Sequence, residues 1–309
     1  MNFLVVGPGA MGCLFASRFK KTGHNVTLLD YRSERADFIN EHGVTIKETA
    51  GNFRIHVPTV LTIPVETPDV ILICVKAYQT RKAAESLKTC LGPDTVVLTL
   101  QNGLSNLEIL QDIFGRERVL GGVTAEGATL VAQGHVRHAG QGETLIGAQG
   151  LPVSSAAEMV SAFNAAGFKA RPVRNVNDLI WGKLIINVGI NALTAITRLK
   201  NGRLPEVQGT KTVMEEAVRE AVAVAHAKGI TLPYSNPLER VLEVCRSTAG
   251  NLASMLQDVL RQQITEVAFI NGAIVREGDI LGIPTPVNMI LTCLVQALQE
   301  TYPERISKI

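Results

Sequence analysis

The chain is short of charge imbalance, of paired cysteines and of long apolar runs, and each shortage removes a class of function. Thirty Lys and Arg against 28 Asp and Glu leave a formal net charge of +2. That is too weak a field to argue for nucleic acid or an anionic membrane surface as partner. The five cysteines, Cys13, Cys74, Cys90, Cys245 and Cys293, are scattered without a Cys-x-x-Cys pair. Such spacing speaks against a disulfide framework or a metal centre and fits a reducing compartment. No uninterrupted apolar run reaches the roughly 18 residues that a bilayer span needs, so no membrane partner is expected. There is no low-complexity tract and no repeat. An apolar strand begins at Asn2, which leaves no room for a targeting peptide, so a cytoplasmic location is expected. What is present is a chain of 309 residues, 46% hydrophobic and 19% charged, the profile of a well-packed enzyme too long for a single core.

The amino terminus carries the most specific motif. Asn2-Phe-Leu-Val-Val6 runs directly into Gly7-Pro-Gly9-Ala10-Met11-Gly12, a helix-like stretch follows, and a second apolar strand ends at Asp30, 18 residues after Gly12. Strand, Gly-x-Gly-x-x-Gly, helix and a distal acid form a dinucleotide-binding fingerprint. Gly7 makes the tight turn, Gly9 lets backbone approach a pyrophosphate, and Gly12 allows close helix–strand packing. The N–H groups of the following helix, with its positive dipole end, suit phosphate.

Downstream, the α/β alternation continues. Ser33–His42 reads as a helix, Val44–Ile46 and Arg54–Val57 as short strands, Asp69–Val75 as a strand buried on both faces, Thr80–Cys90 as a helix, and Thr95–Leu100 as another buried strand. Glycine-rich short strands from Arg118 to Gly147, with a hairpin turn at Val131–His135, predict an antiparallel extension of the sheet. A helix over Ser154–Ala166 and a strand over Lys169–Val173 close this half. After Arg174 the pattern is helical: Asp178–Thr197, Val207–Lys228, Pro237–Ala249, Ser254–Glu277 and Pro286–Thr301. The expected fold is therefore α/β: a Rossmann-type dinucleotide-binding domain (1–174) followed by an all-helical substrate domain (175–309).

Ligands of open α/β sheets sit outside the carboxyl ends of the strands. Lys76 and Asn102 fall there, able to meet a phosphate, the nicotinamide side or a ribose hydroxyl; the plainer alternatives are a solvated lysine and an Asn-Gly turn. In the second half, Lys183, Asn187 and Asn191 are spaced four and four in an otherwise apolar segment. Each step of four turns a helix by about 40° and rises about 6 Å, so the three side chains form one polar ladder. Because the other sides are apolar, the helix is expected to be enclosed. A desolvated lysine loses proton affinity and becomes a candidate proton donor near neutral pH. Glu266 heads an apolar stretch, as a site carboxylate or the first acid of an exposed face. Ser254 stands where a helix could begin, as a site hydroxyl or an N-cap.

Taken together, the glycine fingerprint, Cys74-Val-Lys76, Gln101-Asn102-Gly103, Trp181-x-Lys183, Asn187, Asn191-Ala-Leu-Thr-Ala, Asn201-Gly202, Ser254-Met-Leu-Gln-Asp258 and Glu266 resemble the ketopantoate reductase family over essentially the whole length. The resemblance implies reduction of 2-dehydropantoate to (R)-pantoate by a nicotinamide cofactor. It assigns Lys183 as general acid, Asn187, Asn191, Asn201 and Ser254 to the substrate carboxylate and hydroxyl, and Glu266 to the terminal hydroxyl. Lys76 and Asn102 would border the cofactor. An arginine after the second strand typically receives the 2′-phosphate of NADP in this family; here Arg32 follows Asp30 after a one-residue insertion. NADPH is the expected cofactor, with NADH an alternative because Asp30 would pair with ribose hydroxyls and repel a phosphate. Twelve residues of straight helix span about 18 Å, too far for Ser254 and Glu266 to share one small substrate, so a turn or bend between them is predicted. The alternatives are a related reductase of another 2-keto or 3-hydroxy acid and a non-catalytic NADPH sensor. The apolar segment Ile280–Leu298 would suit a homodimer.

Overall fold

Short apolar runs separated by turn-forming residues give the first half its layers, in a computed structural model that describes residues 1–49, 51–147 and 153–304. In chain order they are β1 (Asn2–Val6), α1 (Ala10–Lys21), β2 (Asn25–Leu29), α2 (Ser33–His42), β3 (Val44–Glu48), β4 (Gly51–Ile55), β5 (Thr59–Val60), β6 (Val70–Ile73), α3 (Thr80–Ser86), β7 (Val96–Thr99), α4 (Asn106–Phe114), β8 (Val119–Thr124), β9 (Gly127–Ala132), β10 (His135–Gly140), β11 (Glu143–Gly147), α5 (Val153–Ala165) and β12 (Lys169–Val173). The main sheet has the order β12-β11-β8-β7-β6-β1-β2-β5. It is parallel from β5 to β8 and turns antiparallel where β11 pairs with β8. The strand order reverses beside β1, and that switch point is where such sheets bind ligands. The Rossmann-type architecture is thus present. Its core is aromatic as well as aliphatic: Phe3 stacks on Phe19 at 4.4 Å, and Phe19 meets Phe163 edge-on at 5.0 Å.

Two sequence expectations are corrected here. The 131–135 hairpin does not extend the main sheet; β9 and β10 join β3 and β4 in a second sheet of order β4-β3-β10-β9. The two short strands expected near Val44–Ile46 and Arg54–Val57 are present as the antiparallel pair β3–β4, which makes the other half of that sheet. The helix expected over Thr80–Cys90 ends at Ser86 and gives way to a 3-10 turn at Lys88–Cys90. The second sheet is tied to α1 by polar contacts: Glu48 pairs with Arg18, and His138 lies between Glu48 (3.1 Å) and Glu126 (2.5 Å). Hydrogen bonds to the Glu126 and Glu48 carboxylates raise the His138 pKa despite burial.

Among the described residues everything after Val173 is helix, turn or loop: α6 (Val176–Thr197), α7 (Gln208–Ala227), α8 (Pro237–Ser247), α9 (Ser254–Leu260), α10 (Asn271–Leu281) and α11 (Pro286–Glu300). α8 starts as such a sequence should, with Asn236 accepting from Glu239 N at 3.1 Å and Pro237 at the first helical position. α6 is long and apolar enough to cross a bilayer, yet 67% of its most apolar stretch is buried in the protein. It is the core helix of this half, with Trp181, Leu184, Ile185 and Val188 packed in one cluster with Met214, Val218 and Ala221 of α7. By packing, the chain divides into Met1–Gln101 with Ser105–Val176, and Asn177–Ile309 with the short segment Asn102–Leu104.

Candidate functional site

The glycine turn is tightly built. Gly7, with φ +100°, takes a conformation that side chains resist, and a Cβ there would stand 2.8 Å from Val75 Cγ1. Its carbonyl accepts from Gly9 N at 2.8 Å. α1 starts at Ala10 with Gly9 as N-cap and no capping side chain. Ala10, Met11 and Gly12 therefore form a first turn whose amides point along a positive helix end. A Cβ on Gly12 would lie 2.1 Å from Gly7 O and 3.2 Å from Cys74 Cβ, whereas one on Gly9 would meet no protein atom within 4 Å. Gly7 and Gly12 are demanded by the fold. Gly9 is not, and its bare backbone leaves open space beside the start of α1.

At the end of β2 the acid is held by several partners. The Asp30 side chain has no exposed surface. Its carboxylate accepts from Arg35 Nε and Nη2, both at 2.5 Å, and from the backbone N–H of Tyr31 (2.7 Å) and Arg32 (3.1 Å). Asp30 thus anchors the loop and Arg35. The exposed side chains are Tyr31 and Arg32, whose guanidinium lies 5.2 Å from the Tyr31 ring centroid and donates to its hydroxyl at 3.1 Å. Lys76, partly buried, follows β6 and opens a 3-10 turn over Ala77–Gln79. That corner is braced by Gln101, which donates to Val75 O at 2.6 Å and to Thr80 Oγ1 at 2.9 Å. In the sequence Gln101 stood only as part of the Gln101-Asn102-Gly103 motif, with no role given, because bridging two strand ends leaves no periodic signal.

In the helical half, Lys183, Asn187 and Asn191 all lie on α6. Burial lowers the Lys183 ammonium to a pKa of about 8, with the Glu266 carboxylate acting in the opposite direction. The residue keeps some exposed surface, but its charge is desolvated. Asn191 is buried, and the side-chain nitrogens of both Asn187 and Asn191 are buried without a hydrogen-bond partner. Two orphaned donors a turn apart are costly, by about 1–3 kcal/mol each, unless an acceptor joins them.

Glu266 is buried and opens a 3-10 turn over Val267–Phe269, separate from α9. The chain breaks at Leu260 and passes through Gln262 at φ +53°, so the predicted bend between Ser254 and Glu266 is there. The N-cap alternative for Ser254 fails: Ala253 is the cap, and Ser254 is the exposed first residue of α9. Asn201 is buried, donates to Thr248 Oγ1 at 2.9 Å and leaves its own carbonyl oxygen without a donor. Asn102 is partly buried and packs with this half: the next residue, Gly103 (φ +87°), would place a Cβ 2.6 Å from Phe269 O, and Leu104 N donates to the same oxygen at 2.9 Å. The structure therefore brings Asn102 onto the turn that carries Glu266. Lys183, Asn187 and Asn191 share one helix, while Asn201 is tied to the 248–251 loop.

Comparison with known proteins meets these residues from outside. Residues 3–150 match the family described as Ketopantoate reductase PanE/ApbA, and residues 175–299 match Ketopantoate reductase PanE/ApbA C terminal. A 2-dehydropantoate 2-reductase of Halobacterium salinarum is 37% identical over 303 residues, covering 97% of this chain and 99% of its own. Among solved structures, a PanE/ApbA family ketopantoate reductase from Ralstonia eutropha JMP134 is 33% identical with a TM-score of 0.90, covering 97% of this chain and 99% of its own. A D-mandelate dehydrogenase solved with NADH and anilino(oxo)acetate also has a TM-score of 0.90, at 28% identity and the same coverage.

Proposed function

The chain belongs to the ketopantoate reductase family, and we propose that it reduces 2-dehydropantoate to (R)-pantoate with NADPH, a cytoplasmic step toward vitamin B5 and coenzyme A. The observation that carries this reading is the pair of orphaned amide donors on the same helix as a desolvated lysine. A 2-keto acid offers carboxylate and hydroxyl oxygens as acceptors for Asn187 and Asn191. Lys183 holds a proton for the ketone oxygen. With a pKa near 8 it is charged at neutral pH yet parts with the proton more readily than an ordinary lysine, and its charge stabilises the oxyanion as it develops. Glu266 accepts from the substrate's terminal hydroxyl, and Asn201 and Ser254 complete the polar lining. A reduced nicotinamide dinucleotide, when bound, supplies the hydride. Gly7, Gly9, Ala10, Met11 and Gly12 would hold its pyrophosphate, with Lys76 and Asn102 bordering it.

NADPH is favoured over NADH by the state of Asp30. Paired with Arg35 and withdrawn from the surface, it neither binds ribose nor repels a phosphate, and Arg32 and Tyr31 form the exposed rim. Charge-assisted hydrogen bonds contribute about 1.5–3 kcal/mol. Arg32→Ala is therefore expected to raise KM for NADPH by roughly 10-fold or more while leaving that for NADH within about 2-fold, as initial-rate kinetics with both cofactors would show. The likeness to D-mandelate dehydrogenase favours a second reading, an aryl 2-keto acid reduced with NADH. Turnover of ketopantoate, a simple 2-keto acid and phenylglyoxylate, each with NADPH and NADH, separates the two. Ketopantoate turned over no better than the others would defeat the first reading, and tight NADPH binding without turnover of any keto acid would identify a sensor.

A homodimer is proposed through the exposed apolar stripe of Met289, Ile290 and Leu294 on α11, with Ile280 of α10 beside it in sequence. Sedimentation should find a dimer that Ile290→Glu converts to a monomer. A monomeric wild-type chain would remove the proposal.

A further inference from the structure

A chain of buried polar groups crosses the otherwise apolar core of the helical half. Asn271 and Asn288 have no exposed surface. Asn271 Nδ2 donates to Val188 O of α6 at 3.3 Å and to Asn288 Oδ1 at 3.0 Å. Asn288 Nδ2 donates in turn to Ala217 O of α7 at 3.0 Å and to Glu220 Oε2 at 2.8 Å. The Glu220 carboxylate also accepts from the backbone N–H of Val287 (2.8 Å) and Asn288 (2.9 Å), placing a negative charge at the start of α11. Four helices are thereby pinned to one another by directional bonds.

Apolar contacts hold helices together but tolerate sliding; directional hydrogen bonds in a low-dielectric core fix register, and Asn271 does this through its Nδ2 donor, its Oδ1 being buried without a hydrogen-bond partner. Its location matters. Val188 follows Asn187 on the ladder helix, and Asn271 opens α10 directly after the turn that carries Glu266. One amide therefore sets the distance between the two elements that bear Lys183 and Glu266. We infer that Asn271, backed by Asn288 and Glu220, is a positioning residue for the reaction, holding the Glu266 turn in register with the Lys183–Asn187–Asn191 helix. This rests on the reductase reading above. The action of Glu266 on the Lys183 ammonium is the property such a register would tune.

The test compares Asn271→Ser and the isosteric Asn271→Leu with Val224→Ala, an apolar truncation one turn beyond Glu220 on α7. Each is expected to lower the melting temperature by about 5 °C. Only the Asn271 variants should lose kcat/KM for ketopantoate, by about 10-fold or more, with NADPH affinity unchanged. A second readout needs no substrate. The pH midpoint for acylation of Lys183 by acetic anhydride should fall below that of wild type in the Asn271 variants and stay put in Val224→Ala. Equal kcat/KM losses and equal midpoints in all variants would overturn the inference. Wild-type protein inactive on ketopantoate would instead overturn the functional reading, leaving the acylation midpoints to decide this one.

Discussion

Replacing Lys183 with alanine is expected to reduce kcat by about 10²- to 10⁴-fold, the usual worth of a positioned general acid, with dinucleotide affinity changed little. The reason lies in where the charge sits. An ordinary surface lysine titrates far above neutrality and gives up its proton reluctantly. Here burial brings the ammonium down to a pKa of about 8 against the upward pull of Glu266. Lys183→Met should separate chemistry from stability. It keeps the length of the side chain and removes a desolvated charge, so the melting temperature should hold or rise while turnover is lost. Near-normal turnover in either variant would remove the proton-donor role.

Gly9→Ala and Gly12→Ala should both abolish tight dinucleotide binding, with Kd raised about 10-fold or more, for opposite reasons. At Gly12 the added carbon would sit 2.1 Å from a backbone oxygen, which no side-chain movement relieves, so the turn is displaced and the melting temperature falls. At Gly9 the added carbon meets no protein atom within 4 Å and φ is −76°, so stability should be untouched and only the ligand would collide with it. Calorimetry with NADPH alongside thermal melts checks both. A Gly9→Ala protein with unaltered affinity would show that the dinucleotide does not lie on this turn.

Much of this was legible in the chain because periodicity and glycine placement are local. The strand–glycine–helix unit, the two-sided burial of Val70–Ile73 and the ladder on α6 each announce themselves within a few residues. The bend between Ser254 and Glu266 followed from helix length once the family resemblance put both residues on one substrate. What escaped was non-local. The 131–135 hairpin reads as a hairpin in any sheet, and only its parallel partner β3, some ninety residues earlier, decides which sheet it joins. Asp30 has the spacing of a ribose ligand, but its partner Arg35 points inward, a matter of rotamer and packing. Asn271 sits in a helix start that looks unremarkable until Asn288 and Val188 are placed around it.

The pH dependence of kcat/KM for ketopantoate puts the account to its sharpest trial. A general acid must be protonated to work, so the rate should be flat below neutrality and fall above about pH 8, following the Lys183 ammonium, and Lys183→Ala should lack that falling limb. A wild-type profile that stays level to pH 10, or a limb that survives the substitution, would contradict it.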